Sequence, residues 1–501
     1  MAQTKYQRNL SRRLLLVGLL GGAASHALAN APLTSIRPAP RLSAPKPAKA
    51  RPVEELISAA RLSGDVGFAL ADASTGEMLE TRNPVLAMPP ASVAKAITAL
   101  YALDKLGTDH SFKTQLLATG PVSNGKLNGD LVLVGGGDPT LDTDALGDLA
   151  ADLKAAGLRE ISGDFLVYSS SLPTIFSIDP DQPEHMGYSP AVSGLNLNYN
   201  RVHFEWKRAG GGYDVSMDAR AHRFSPAVTV ARMQVVNRSM PVYTYSDVNG
   251  RDDWTVARAA LGDAGSRWLP VRKPELYAAE VFQTLARSHG IVLPRAKVAD
   301  QKSGGTALAE RVSPPLRDIL EDMLRWSTNL TAEVAGLTAT QADGNGARTL
   351  KASATAMSNW AKAELGAGKA SFVDHSGLSD QSRIAAADMV KALVKARKVG
   401  VLGPILKTIQ MRNNEGKVID NHPVKVRAKT GTLHFVSALS GYITGPDGRE
   451  LAFAIFTADV GRREAIADEE QDTPPGSKAW TARSRKLQMQ LITRWGLSFP
   501  A

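Results

Sequence analysis

A serine and a lysine three positions apart, in Ser92-Val93-Ala94-Lys95, have the types and spacing for covalent chemistry. On a helix, positions i and i+3 share a face, which brings a hydroxyl and an amine within hydrogen-bond range. Such a pair suits nucleophilic acyl transfer, with the amine taking the hydroxyl proton and the oxygen attacking a carbonyl. At a helix start the Ser92 backbone N–H is also available to a developing oxyanion. Taken alone, an S-x-x-K spacing arises about once by chance in a chain of this size, and a capping serine beside a surface lysine would explain it. The surroundings of Lys95 argue otherwise. Val93, Ala94, Ala96, Ile97, Leu100, Leu103 and Leu106 leave almost no polar face, and an unpaired ammonium among them is costly.

Two more patterns follow in order. Ser327-Thr328-Asn329 lies between two helical stretches, and Lys429-Thr430-Gly431-Thr432 lies on an expected strand leading into a hairpin. Three patterns in this order are much harder to obtain by chance than any one. Ser92, Lys95, Ser327, Asn329 and Lys429 are therefore the candidate catalytic residues. As a base, Lys95 faces a difficulty: at a reference pKa near 10.4 roughly one lysine in a thousand is neutral at neutral pH, a cost of about 4 to 5 kcal/mol. Burial in the apolar helix and the charge of Lys429 are both expected to lower that cost.

With Gly137-Asp138-Pro139-Thr140-Leu141, Leu195-Asn196-Leu197-Asn198, Leu330-Thr331-Ala332-Glu333 and Asp374-His375-Ser376-Gly377-Leu378-Ser379, these patterns give a recognisable whole. The chain resembles the low-molecular-mass class C penicillin-binding proteins, the D-alanyl-D-alanine carboxypeptidase/endopeptidase family S13. The long gap between Ser92 and Ser327 is the most diagnostic feature, because in that family it holds domains inserted into a transpeptidase-like fold. The resemblance implies that Ser92 attacks the carbonyl of the penultimate D-alanine and Lys95 takes its proton. It further implies that Ser327 relays a proton to the leaving amine, that Asn329 holds Lys95 and a substrate amide, and that Lys429 supplies a second positive field. Thr430, Gly431 and Thr432 would form the substrate-binding strand, with the two threonines on the terminal carboxylate and the Thr432 N–H in the oxyanion hole. Peptidoglycan stem peptides and cross-links are the implied substrates, β-lactam antibiotics the covalent inhibitors, and no cofactor is implied. One departure bears on specificity. The family pattern reads S-G-L-S-R, whereas here Asp380 follows Ser379 and the nearest arginine is Arg383. The tryptophan-rich acidic stretch expected before Leu195 is also missing; Asp179, Asp181 or Glu184 are candidates to replace it, against a solvated-loop reading.

Two rivals carry their own tests. A serine β-lactamase shares the acylation machinery but turns penicillin over rapidly, where a peptidase keeps the acyl-enzyme for hours. A non-enzymatic wall-binding protein would release no D-alanine and open no cross-links, and the three intact patterns speak against it. The nine histidines form no H-E-x-x-H spacing, so no metal site is expected, and His375 reads as a packing or loop residue. Gly135-Gly136-Gly137 lacks a following Gly-Lys-Ser/Thr and reads as a turn, and no G-x-S-x-G elbow is present.

The elements that must position these residues can be read from the pattern. Val66, Phe68 and Leu70 alternate before a Ser74-Thr75-Gly76 turn, giving a hairpin, and a buried helix runs from Ser92 to a stop at Gly107. Short strands and turns follow from about Phe112, including a hairpin at Ser123-Asn124-Gly125. After Pro314-Pro315 come helices, then strands through Val424 to Leu433, Phe435 to Thr444 and Leu451 to Ala458, and a closing helix. The expected fold is α+β: a discontinuous transpeptidase/β-lactamase-like domain, an antiparallel sheet with helices, over 53–112 and 300–501, with inserted β-rich domains over 113–299.

The chain opens with Lys5, Arg8, Arg12 and Arg13, an apolar run from Leu14 to Leu20, and Ala27-Leu28-Ala29. Residues 1–29 thus read as a signal peptide of the Sec or twin-arginine type, which implies export to the periplasm. The Pro/Ala-rich basic stretch over 30–52 reads as a disordered linker, able to touch anionic wall or lipid but more simply a spacer. These first 52 residues hold nine of the basic groups behind the net charge of +10 and no acid, so the globular part is nearly neutral and nucleic acid is not an expected partner. With no cysteine, stability must come from packed cores, which about 450 residues can supply. The oligomeric state is not legible in the pattern.

Overall fold

The computed structural model describes residues 51–499 apart from 170–171, 414–415 and 468–471. The signal peptide and nearly all of the basic linker therefore lie outside the described residues. Five antiparallel strands form the central sheet in the order Lys425–Leu433, Val436–Thr444, Glu450–Ala458, Asp65–Asp72 and Met78–Arg82. The two ends of the described chain thus share one sheet, as the discontinuous α+β reading expects.

Side chains alternate along a strand. Ala69, Ala71, Ala452, Ala454 and Phe456 consequently belong to one core, and Phe68, Leu70, Leu451, Phe453 and Ile455 to another across the sheet. The first core is filled by helices Ala94–Leu106, Leu316–Trp326, Asn329–Ala342, Leu350–Leu365 and Ala386–Val399. Leu56 of helix Val53–Ala60 and Leu487, Leu491 and Trp495 of helix Ser477–Ser498 fill the second. With both faces covered, strand Glu450–Ala458 is buried over nearly its whole length and reads as a continuous apolar run.

Ser92 sits in a single 3-10 turn, Ala91–Val93, and the α-helix begins two residues beyond it at Ala94. Ala91 has a φ of 46°, a left-handed conformation that costs a non-glycine residue about 1–2 kcal/mol. Strain of this kind persists only where the surroundings over-determine it. Here Ala91 is fully buried between Gly377 and Gly431.

The insertion builds its own core around Leu133, Phe165, Phe204, Trp254, Tyr277 and Phe282. It contains a mixed five-stranded sheet in the order Lys297–Val298, Phe165–Tyr168, Leu131–Gly135, Lys113–Ala118 and Thr306–Val312, two helices, Thr143–Ala155 and Pro274–Ser288, and three three-stranded sheets. The expected hairpin at Asn124-Gly125 is present, with φ of 52° and 83° at the two turn residues. Strand Thr306–Val312, which sequence put in the catalytic segment, pairs with Lys113–Ala118 and closes the inserted sheet. Its side chains are mostly exposed, so it lacks the apolar alternation that would mark its partner. Leu172, Ile178 and Val192 return from the insertion to the core that holds the Ser92 helix. That return places residues 182–188 beside the site.

Candidate active site

Lys95 is completely buried, and its Nζ donates to Ser92 Oγ at 3.0 Å, Asn329 Oδ1 at 2.7 Å and the Ser376 carbonyl at 2.8 Å. An ammonium has three N–H donors, and these contacts use all of them. Once neutral, the amine can instead accept the Ser92 proton. Burial lowers the Lys95 pKa to about 8, opposed by the charges of Glu333 and Asp374. A fall from 10.5 to about 8 raises the neutral share at pH 7 about three-hundredfold, equivalent to about 3 kcal/mol. The expected contribution of Lys429 is corrected here. Lys429 is itself only 1% exposed, and burial first, then Lys95 and Lys407, hold its pKa well below the usual value. Burial, and not the charge of Lys429, is what lowers the Lys95 pKa.

The carbonyl that Lys95 needs is supplied by a loop pinned from below. Glu333 accepts the His375 N–H at 2.9 Å and the Ser376 N–H at 2.8 Å, and Asp374 accepts those of Gly377 and Ser379, each at 2.7 Å. Burial raises the pKa of both carboxyls, the charge of Asp374 adds to the rise at Glu333, and these N–H bonds offset only part of it. Gly377 has a φ of 70°, and a Cβ there would fall 1.9 Å from the Ala91 carbonyl oxygen, so only glycine lets the loop lie on the Ser92 turn. His375 is buried against Gly336, shares a hydrogen bond with Ser353 Oγ at 2.7 Å, and is kept neutral by burial, its pKa near 3. It is a packing residue. Glu333 had no role assigned from sequence, although a glutamate among Leu330, Ala332, Val334 and Ala335 carries the same signal as Lys95: a charge set in an apolar helix.

Ser327 caps the C-terminus of helix Leu316–Trp326 in a left-handed conformation, φ 61°. Its Oγ accepts from Lys429 Nζ at 2.9 Å, and the same Nζ reaches the Thr430 carbonyl at 2.7 Å. Two residues on, Asn329 opens the next helix and turns Oδ1 to Lys95. The bend between two helices thus sends one side chain to each lysine. Asn329 Nδ2, expected to meet a substrate amide, donates to the Tyr188 carbonyl of the insertion at 2.9 Å.

Strand Lys425–Leu433 is an edge of the central sheet and leaves part of its backbone polar groups without a sheet partner. At Gly431 an added Cβ would lie 2.6 Å from the Pro90 oxygen and 3.1 Å from the Ser92 nitrogen. The absence of a side chain brings the strand against the Ser92 backbone. Ser92, Ser327, Asn329 and Thr432 line a cleft of about 550 Å³, with Lys95 and Lys429 outside its lining. Thr430 and Thr432 share a strand face, but neither Thr430 nor Gly431 lines the cleft. The lining also includes Gln182 and Tyr188 from the insertion and Arg463, Lys478 and Arg485 from the C-terminal segment. A hydroxyl on a buried lysine, a second hydroxyl–lysine pair and an open cleft between them are suited to acyl transfer through a covalent intermediate.

Residues 50–473 match the D-Ala-D-Ala carboxypeptidase 3 (S13) family. The chain belongs to that family. A D-alanyl-D-alanine carboxypeptidase of Actinomadura sp. (strain R39) is 30% identical over 87% of this chain and 87% of its own. D-alanyl-D-alanine carboxypeptidase DacB of Haemophilus influenzae is 26% identical over 81% of this chain and 87% of its own. The crystal structure of penicillin binding protein 4 (dacB) from Haemophilus influenzae matches the fold with a TM-score of 0.70 at 21% identity, covering 88% of this chain and 99% of that one. Its complex with a β-lactam matches with a TM-score of 0.67. Membership makes this chain a D-alanyl-D-alanine carboxypeptidase of the penicillin-binding kind.

Against the S13 pattern, the departures at Asp380 and in the insertion take a definite form. Arg383 folds back onto the carbonyls of Asp380 and Ser382 and is absent from the cleft lining. An arginine from the C-terminal segment lies there instead: Arg463 Nε pairs with Asp380 Oδ2 at 2.5 Å. None of Asp179, Asp181 and Glu184 lines the cleft; their neighbours Gln182 and Tyr188 do. Sequence reasoning missed Gln182, Tyr188, Arg463 and Arg485, because no short spacing ties them to the three patterns.

Proposed function

We propose that this S13 carboxypeptidase removes the terminal D-alanine from peptidoglycan stem peptides through an acyl-enzyme on Ser92. Neutral Lys95 takes the hydroxyl proton as Ser92 Oγ attacks the carbonyl of the penultimate D-alanine. The backbone N–H groups of Ser92 and Thr432 face the oxyanion. Ser327, joined to Lys429, gives its proton to the leaving amine and takes the one held by Lys95, so that the C–N bond breaks, D-alanine departs neutral at nitrogen and Lys95 is neutral again. Water then attacks the ester, Lys95 again accepting a proton, and Ser92 is restored. The observation that carries this reading is the 3.0 Å contact between Ser92 Oγ and a fully buried lysine amine. Cross-linked peptides would react by the same steps with a different leaving amine, which makes endopeptidase activity part of the proposal. β-Lactams would acylate Ser92 and block the site. The signal-like N-terminus supports export to the periplasm, and the basic linker a contact with anionic wall or lipid.

The test is digestion of cross-linked muropeptides by wild type and Ser92→Ala, with products weighed by mass spectrometry. Release of D-alanine and of uncross-linked peptides by wild type alone is expected. Equal products from both proteins, or none from wild type, would refute the assignment.

A further inference from the structure

We infer that Arg485 anchors the free carboxylate of the leaving amino acid, so that the site selects peptides with an unblocked carboxylate over their amides. This rests on the peptidase reading of Ser92. The leaving residue carries its carboxylate on the carbon next to the departing nitrogen. Its anchor must therefore lie in the cleft close to Ser92, along strand Lys425–Leu433.

The cation of the strand itself is poorly placed for that task. Lys429 is almost fully buried, and its Nζ is committed to Ser327 Oγ and the Thr430 carbonyl. The threonine hydroxyls can donate to a carboxylate but carry no positive charge to balance it. Arg485 meets both needs. It lies in the cleft lining together with Ser92, and its Nη2 donates to Thr432 Oγ1 at 3.2 Å. That bond occupies one of five guanidinium donors, and an arginine keeps its charge at every working pH.

The helix that carries Arg485 is arranged for the cleft. Lys478, Thr481, Ala482 and Arg485 all line it, a spacing of three, four and seven that marks one helical face. No carboxylate contributes to the cleft lining among the described residues, and no ion pair among them involves Arg485 or Lys478. Arg463, the third cation, is committed to Asp380 and to the His434 carbonyl. Arg485 is thus the cation bonded to the motif strand that retains open donors.

The experiment compares hydrolysis of an acetylated pentapeptide ending in D-alanyl-D-alanine with that of its C-terminal carboxamide, using wild type, Arg485→Ala and Arg485→Lys. Wild type should prefer the free acid. Arg485→Ala should lose about tenfold to a hundredfold in kcat/KM on the acid, mostly in KM, and far less on the amide, so that the preference collapses. Arg485→Lys should recover part of it. Equal losses on both peptides, or an unaltered preference, would overturn the anchor. If wild type cleaved neither peptide while penicillin still labelled Ser92, the peptidase reading would fall first, and the anchor with it.

Discussion

Lys95 reaches Ser92 from behind the cleft lining, on a helix buried at every position from Ala94 to Leu103, held by three contacts of 2.7 to 3.0 Å. Arg485 reaches the cleft from an exposed helical face, with one contact of 3.2 Å to Thr432. The two cations do opposite work. A base must give up its proton near neutral pH, which burial enforces, and lysine is the cation whose pKa moves that far. A carboxylate anchor must keep its charge and stay open to solvent until substrate arrives, which suits an exposed arginine. Dry, rigid packing therefore belongs to the chemistry, and solvated charge to recognition.

Removing the buried amine is the harshest way to break that contrast. Lys95→Met keeps an unbranched side chain in the apolar helix, so the fold should survive, as read by circular dichroism. Penicillin acylation should fall by a thousandfold or more, within the range for loss of a positioned base. Near-normal acylation would mean that burial of Lys95 serves packing alone. At Ser327, Ala and Gly both delete the hydroxyl and should each cost about a hundredfold in D-alanine release. Because φ is 61°, Ser327→Gly should exceed Ser327→Ala in stability by about 1 kcal/mol, measured by denaturant unfolding. Equal stabilities would show that the left-handed cap carries no strain.

Gly431→Ala forces a Cβ against the Pro90 oxygen and the Ser92 nitrogen, atoms of backbone that cannot swing aside. A stability loss of about 1–3 kcal/mol with acylation slowed at least tenfold is expected, and a silent substitution would remove the close-approach argument. The smallest effect sharpens the electrostatics. Glu333 raises the Lys95 pKa, so Glu333→Gln should take it below about 8 and move the acidic limb of acylation to lower pH. In wild type that limb should be half-risen near pH 8, because acylation needs neutral Lys95. A limb that stayed in place, followed by stopped-flow acylation across pH, would show that Glu333 does not act on Lys95.

The Ser92–Lys95 pair was legible in sequence and the lining from the insertion and the C-terminal segment was not, for a physical reason. Ser92 and Lys95 are coupled by helical spacing, and the alternation of Phe68 and Leu70, or of Phe453 and Ile455, is a local consequence of strand geometry. Tyr188 enters only because Leu172, Ile178 and Val192 bring the insertion back to the first core, and Arg485 only because helix Ser477–Ser498 packs on the sheet. Neither leaves a short-range mark. The strand Thr306–Val312 was misplaced for a related reason, since its pairing partner lies across the whole insertion.

The central claim, that Ser92 is acylated with Lys95 as its base, has a direct measurement: intact-mass and peptide-mapping mass spectrometry of penicillin-treated protein at pH 7 and pH 8.5. One penicilloyl adduct on the peptide containing Ser92, forming faster at the higher pH and absent from Ser92→Ala, is the predicted result. An adduct on another residue, or one that persists in Ser92→Ala, would contradict it.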